Sequence, residues 1–329
     1  MIPHIARFVP KPPGSSVMAA LLAIAAPLAI AMGAAQAGEA KLRDYRPVFQ
    51  ECRRADGAPV LAIRRMALDG VGMLLTVDPA TLATRLEREQ DWSCADIGDD
   101  REKDTRYIRA IRAACAPDSC GATLPPVVIA NGGLVRGAAA GSFVTGDLCP
   151  SRRPLDRAFL EALIAAQAPL PLALSISGLW LTRHRADFEW LRDRERAGAL
   201  RISWVDHSYH HPYVPGRPVA GNFLLTPGVD MQAEILDTER LLIANGATPS
   251  VFFRFPGLIA NPALMQAAAD DHLIVLGADS WLARSPRAPP GAIILVHPNG
   301  NEPAGLRIFS TLLAGGKLPR PFRPIEDAP

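Results

Sequence analysis

The amino-acid sequence predicts an α/β protein, a parallel sheet or (β/α) barrel preceded by an N-terminal α+β extension. Three observations predict it. From about Phe143 onward, short β-rich apolar runs alternate with stretches of helical periodicity. The runs are almost continuously apolar, as strands covered on both faces are. And an ionisable residue follows closely on one run after another.

The chain begins with a segment to be set aside. Arg7 and Lys11 precede the run "VMAALLAIAAPLAIAMGAAQA", which ends in Ala35-Gln36-Ala37. A basic start, an apolar stretch and a small-x-small ending predict a secretory signal peptide over residues 1–37, cleaved after Ala37. A membrane anchor is the alternative, since about 20 apolar residues can span a bilayer. The alanine richness, the ending and Pro27 favour cleavage, and a periplasmic or secreted protein follows. Arg7 and Lys11 account for the whole formal charge of +2, so the remaining chain is neutral. Neutrality gives no electrostatic reason to bind nucleic acid or, once the leader is cleaved, a membrane.

Residues 38–125 read as the α+β extension. "VLAIRRMALDGVGMLLTVD" is two strands joined at Asp69-Gly70, a strong hairpin signal. A helix is expected over Ala80–Gln90, then a charged loop and a second helix near Tyr107–Cys115. "TLPPVVIANGG" begins the transition to the main domain, residues 126–310.

There the expected strands are 142–145, 171–177, 200–205, 251–253, 273–276 and 292–296. Leu155, Phe159, Leu163 and Ile164 recur at helical spacing, and a second helix is expected over Asp187–Arg196. A third passes through Met231, Ile235 and Leu242 with Asp230 as its cap. A fourth opens at Asn261-Pro262, a cap residue followed by proline at the first helical position. The proline-rich tail, 311–329, is expected to strap the surface.

All five cysteines lie outside the leader. Export makes disulfides possible. Cys115 and Cys120 could close a small loop, and Cys52 with Cys94 could form a second bridge. Cys149 is left over, as a free thiol or an alternative partner. No zinc-ribbon spacing is present.

The functional signal lies where the strands end. The first run leads to Asp147, the third into Asp206, His207, His210 and His211, the fourth to Arg254, the fifth to Asp279 and the last to His297. In a (β/α) barrel these ends converge on one face, where active sites form. Any single one could merely begin a loop; five in succession predict a catalytic face. Neutral imidazoles are usual ligands for zinc and similar ions, which activate water and polarise carbonyls. A carboxylate could take the proton of that water, an arginine could hold the carboxylate ionised, and a further histidine could protonate the leaving group. That inventory fits hydrolysis of an amide or ester.

Over roughly residues 142–300 these motifs resemble the polysaccharide deacetylases with NodB homology, carbohydrate esterase family 4. His207-Ser208-Tyr209-His210-His211 matches the family's H-[ST]-x-x-H, Arg254-Phe255-Pro256 its R-x-P, and "ILVH" its L-x-H. "ADSW" (278–281) resembles its aspartate–tryptophan motif with compressed spacing. The resemblance implies a distorted (β/α) barrel that removes N- or O-acetyl groups from a polysaccharide or oligosaccharide. It implies a divalent metal, expected to be zinc, on His207 and His211, with His210 a bystander. Asp147 falls on the base position, Arg254 would steady it, and His297 would be the general acid. Asp279, from the compressed motif, joins Asp147, Arg254 and His297 in the catalytic set, and Tyr209, Tyr213 and Trp281 could line a glycan groove.

The first motif departs from the family's T-F-D-D-G-P-S. Here it reads Thr145-Gly146-Asp147-Leu148-Cys149-Pro150-Ser151, so Leu148 occupies the metal-ligand position. Either Asp147 turns to the metal, or two histidines and water hold it, or the metal is lost. Asp206 is a candidate substitute, although adjacency to His207 should point it elsewhere. Cys149, standing in place of glycine, is favoured as a disulfide partner over a soft ligand or an inert thiol. The alternative to a hydrolase is a metal-free or inactive NodB-fold protein that binds carbohydrate in the envelope.

Overall fold

Asp69-Gly70 shows how locally the extension is specified. Both residues have positive φ (51° and 84°), as the two central positions of the tightest hairpin turn require. In the computed structural model, which describes residues 40–55, 57–98 and 104–329, this turn joins β2 (Val60–Leu68) to β3 (Val71–Val77). The leader expected over 1–37 lies outside the described residues, as does most of the charged loop that follows Ile97.

β1 (Leu42–Arg53) pairs antiparallel with β2, and β4 (Thr84–Arg88) and β5 (Ser93–Asp96) complete a five-stranded sheet in the order β4-β3-β2-β1-β5. The helix expected over Ala80–Gln90 is therefore replaced by a strand. The segment is rich in helix formers, but the free edge of β3 offers a ladder from Met73↔Arg88 to Val77↔Thr84, and pairing overrides a weak local preference. Cys52 and Cys94 face each other across β1 and β5 and form a disulfide. α1 (Arg106–Ala114), capped by the Thr105 side chain, leads into the Cys115–Cys120 disulfide loop. β6 (Ile129–Ala130) follows.

The second half alternates strand and helix. In order come β7 (Phe143–Leu148), α2 (Arg157–Ala166), β8 (Leu170–Ile176), α3 (Gly178–Arg183), α4 (Arg185–Arg196), β9 (Leu200–Asp206) and α5 (Met231–Ala244). Then follow β10 (Pro249–Phe253), β11 (Ile259–Ala260), α6 (Pro262–Asp270), β12 (Ile274–Val275), β13 (Ser280–Trp281), β14 (Ile293–Val296) and α7 (Pro303–Ala314). The side chains of Asp156, Asp230 and Asn261 cap α2, α5 and α6. Seven strands form one parallel sheet in the order β12-β10-β9-β8-β7-β14-β13, while β11 pairs with β6. Every residue of β7, β8, β10 and β14 is buried, which explains why they are mostly apolar.

Residues 134–136 tie the two flanks of the sheet together. Leu134 bridges to Leu276 beyond β12, and Arg136 bridges to Ala292 before β14. The result is the distorted (β/α) barrel expected. The extension shares its core: Tyr45, Ile63 and Leu75 belong to the same apolar cluster as Phe252, Phe253 and Ile274. The tail crosses back over the barrel, where Phe322 is buried and bridges to Ser142. Among the described residues, no helix is long and apolar enough to cross a membrane.

Candidate active site

Side chains alternate along a strand, and β7 uses that alternation to divide its residues. Thr145 and Asp147 face the barrel interior, where both meet Arg254. Val144 and Leu148 face the helix layer, and Leu148 is fully buried in an apolar cluster with Phe159 and Trp180. Cys149, one residue past the strand, is back on the interior side beside His207.

Arg254 leaves β10 and reaches across the barrel mouth. One terminal nitrogen donates to Thr145 Oγ1 (2.7 Å) and Asp147 Oδ1 (2.8 Å), the other to the Gly277 carbonyl (2.9 Å). Asp147 Oδ2 stays clear of the arginine and lies 3.7 Å from His207 Nε2.

The histidine pair is built by a tight turn after β9. Asp206 Oδ1 accepts from the Ser208 N–H, and Ser208 Oγ accepts from the His211 N–H. Ser208 and His211 adopt positive φ (64° and 46°), a conformation disfavoured for side-chain-bearing residues and tolerated when surrounding contacts impose it. The turn brings the His207 and His211 rings to 4.8 Å, edge to face. His207 Nδ1 sits 2.7 Å from the Arg254 carbonyl. A carbonyl only accepts, so Nδ1 carries the proton and Nε2 of the neutral ring keeps a free lone pair. His211 Nε2 is buried with no hydrogen-bond partner among the described residues.

Cys149 completes the cluster. Its Sγ is 3.5 Å from His207 Nε2, and donor atoms of Cys149, His207 and His211 all lie within 4.8 Å of one another. The disulfide favoured for Cys149 is absent, because the other four cysteines pair among themselves and Cys149 is a buried free thiol. Asp206 faces away from the cluster, as its adjacency to His207 suggested.

His297, after β14, has Nδ1 2.8 Å from Glu302 Oε2, at ion-pair distance but outside hydrogen-bond geometry. The same oxygen accepts from Trp281 Nε1 (2.7 Å). Asp279 is not brought to this group. It pairs with Arg136 and lines a separate depression with Arg287 and Lys317.

The charges are interdependent. Burial opposes ionisation of Asp147, but Arg254, then His207 and His297, outweigh it and hold the carboxyl at about 2. Burial also opposes the Cys149 thiolate, yet His211 and the contact with His207 push the thiol well below its usual value. His207 is raised because Asp147 and Cys149 outweigh its burial. His297 likewise overcomes burial through Cys149 and Glu302 and rises to about 10. Asp206, by contrast, is driven far up by burial and by the like charge of Glu239.

A cleft of about 550 Å³ opens over the cluster, lined by Cys149, His211 and His297 and by Tyr213, Phe223 and Trp281. Tyr213 stacks on Phe223 (centroids 5.1 Å apart), and Phe223 rests on Gly257, where a Cβ would come within 2.5 Å of its ring. Tyr209 is not in the cleft; its ring packs on Gly178 and borders a shallow depression with Leu42 and Arg240. His210 lines the rim and pairs with Glu234 instead of the cluster. Sequence reasoning missed Glu302 and Phe223, for which no periodic signal exists. It also underrated Cys149, whose two-residue offset from Asp147 was the available clue.

No family model matches the chain. Among solved structures it is similar to a family 4 carbohydrate esterase from Bacillus anthracis, at 18% identity over 60% of this chain and 87% of that one, with a TM-score of 0.43. It is also similar to a family 4 carbohydrate esterase from Streptomyces lividans solved with acetate, at 25% identity over 55% and 91%, with a TM-score of 0.38. A family 4 pseudoenzyme from Bacillus anthracis is similar at 16% identity over 59% and 66%, with a TM-score of 0.39. At these TM-scores the chemistry of the site rests on its own residues; the three structures named are family 4 carbohydrate esterases, one of them a pseudoenzyme.

Proposed function

We propose that the protein is an exported hydrolase that removes acetyl groups, as amide or ester, from a cell-envelope or extracellular polysaccharide. The observation that carries this reading is the convergence of Asp147, His207, His211, Arg254 and His297 from four strand ends onto one cluster, with His211 and His297 lining the cleft that opens over it. The two disulfides support an oxidising compartment, periplasmic or secreted.

The donor set suits a divalent ion. His207, its Nδ1 proton held by the Arg254 carbonyl, turns Nε2 toward the cluster, and His211 Nε2 is unpartnered among the described residues; imidazole nitrogens suit zinc and its neighbours. An ion held there supplies Lewis acidity toward the acyl carbonyl and toward water. Asp147, kept ionised by Arg254, orients the attacking water by accepting one of its protons in a hydrogen bond. His297, held protonated by Glu302 and the thiolate, donates to the departing nitrogen or oxygen. Tyr213, Phe223 and Trp281 offer faces on which sugar rings can lie.

The purified chain should release acetate from acetylated chito-oligosaccharides or another acetylated glycan. Chelator should stop the release, and His207→Ala should reduce both metal content and turnover to background. A protein that takes up no divalent ion and releases no acetate would instead fit the rival reading, a carbohydrate-binding envelope component. The burial of Leu148, leaving no carboxylate at that position, is the observation on the rival's side.

A further inference from the structure

Cys149 is the one cysteine outside a disulfide in a chain that otherwise pairs its cysteines. Its backbone is pinned, with its carbonyl accepting from Asn299 Nδ2 (2.8 Å). Its Sγ points at His207 Nε2 from 3.5 Å. Tetrahedral zinc with Zn–S near 2.3 Å and Zn–N near 2.0–2.1 Å separates a sulfur from a nitrogen ligand by about 3.6 Å. The third residue, His211, offers a ring nitrogen within the same 4.8 Å group, and its Nε2 is buried without a partner among the described residues. His207 is held from behind by the Arg254 carbonyl, the support that metal-binding imidazoles ordinarily receive, and the backbone N–H of His211 is fixed by Ser208 Oγ. Asp147 has one oxygen committed to Arg254, and Leu148 faces the helix layer.

We propose that Cys149 Sγ is the third protein ligand of the metal, so that the site is Cys149–His207–His211, an inference that rests on the metal-dependent reading above. A thiolate in the set makes the site soft. It favours zinc, cobalt or cadmium over magnesium or calcium, whose preference is for oxygen. It also relieves Asp147 of any need to bind the ion, leaving the carboxylate to position water. Cys149 thereby supplies a donor that Leu148 cannot.

The test is spectroscopic as well as catalytic. The full chain, stripped of metal, is titrated with cobalt(II). One equivalent should produce thiolate-to-cobalt charge-transfer absorption in the near ultraviolet, and binding should protect Cys149 from alkylation. Cys149→Ser should lack the band and bind zinc at least about tenfold more weakly. Cys149→Asp, which keeps a donor, should bind cobalt without the band; if neither variant folds, the wild-type spectrum decides alone. Cobalt bound by the wild type without charge transfer, or zinc bound equally well by Cys149→Ser, overturns the thiolate ligand and leaves the metal-dependent deacetylase standing. A wild type that binds no metal overturns both. Acetate release that survives chelator but stops on alkylation of Cys149 also overturns it, in favour of a thiol nucleophile.

Discussion

Arg64 and Arg254 are both fully buried and both grip a carboxylate, yet the two arrangements differ in what they leave open. Arg64 joins the extension to the barrel. Its Nε and one terminal nitrogen hold Glu239 through two bonds (2.7 and 3.0 Å), its other terminal nitrogen donates to the carbonyls of Ile63 and Asp271, and Tyr45 Oη donates to the same carboxylate. Nothing remains for a ligand. At the barrel mouth, Arg254 binds one oxygen of Asp147, leaves the other beside His207, and has an unpartnered Nε of its own. A saturated pair locks two layers; a half-open pair leaves a charged oxygen free beside the histidine cluster.

This contrast can be broken experimentally. Asp147→Asn keeps an acceptor for Arg254 but removes the charge, and kcat should fall by about 10²–10⁴-fold while metal content stays at the wild-type level. A parallel loss of metal would instead make Asp147 a ligand. Glu239→Ala should do the reverse. Leaving Arg64 buried without its partner should cost about 3–5 kcal/mol, read as a lower denaturation midpoint, with activity per folded molecule near wild type. A fall in specific activity matching that of Asp147→Asn would erase the distinction.

A smaller effect separates the two regions by pH. His272 stacks on Phe49 near Arg64, with ring centroids 3.9 Å apart, and burial followed by the Arg64 charge lowers it to about 4. An unfolded imidazole titrates near ~6.5. Below that pH the unfolded chain takes up a proton that the folded chain refuses. The stability due to the neutral ring is present above about 6.5 and is lost as pH falls to about 4, by up to about 3 kcal/mol. Asp147 behaves differently: with a folded value of about 2, its contribution is present above ~3.9 and goes only as pH approaches 2. Melting curves from pH 7 to pH 4 should therefore show a loss at the extension seam. His272→Asn, which suits the positive φ of 61° there, should flatten the slope. An unchanged slope would remove His272 from the account.

Local chemistry made much of the fold legible. Most strands of the barrel, the caps at Asp230 and Asn261 and the turn at Asp69-Gly70 follow from apolar runs, short polar side chains and backbone preference, none of which needs a distant partner. The segment at 84–88 was misread because its conformation depends on the edge of β3, which the residues themselves do not encode. Likewise β1 has too mixed a pattern to announce itself, with charged residues scattered along a long strand whose register shifts twice.

The sequence by itself determined which chemistry was available, namely two histidines set by a short turn, an arginine, an aspartate and a later histidine, each at or just past the end of a buried strand. Only the tertiary structure decided which of them meet. It drew Asp279 to Arg136, turned Tyr209 onto Gly178, gave His297 the companion Glu302, and set Cys149 against His207 while Leu148 went to the core. The physical reason lies in the geometry of strands. A one-residue step along a strand reverses the face a side chain occupies, so neighbouring positions in the chain part company, and partners 50 or 150 residues away are chosen by sheet order.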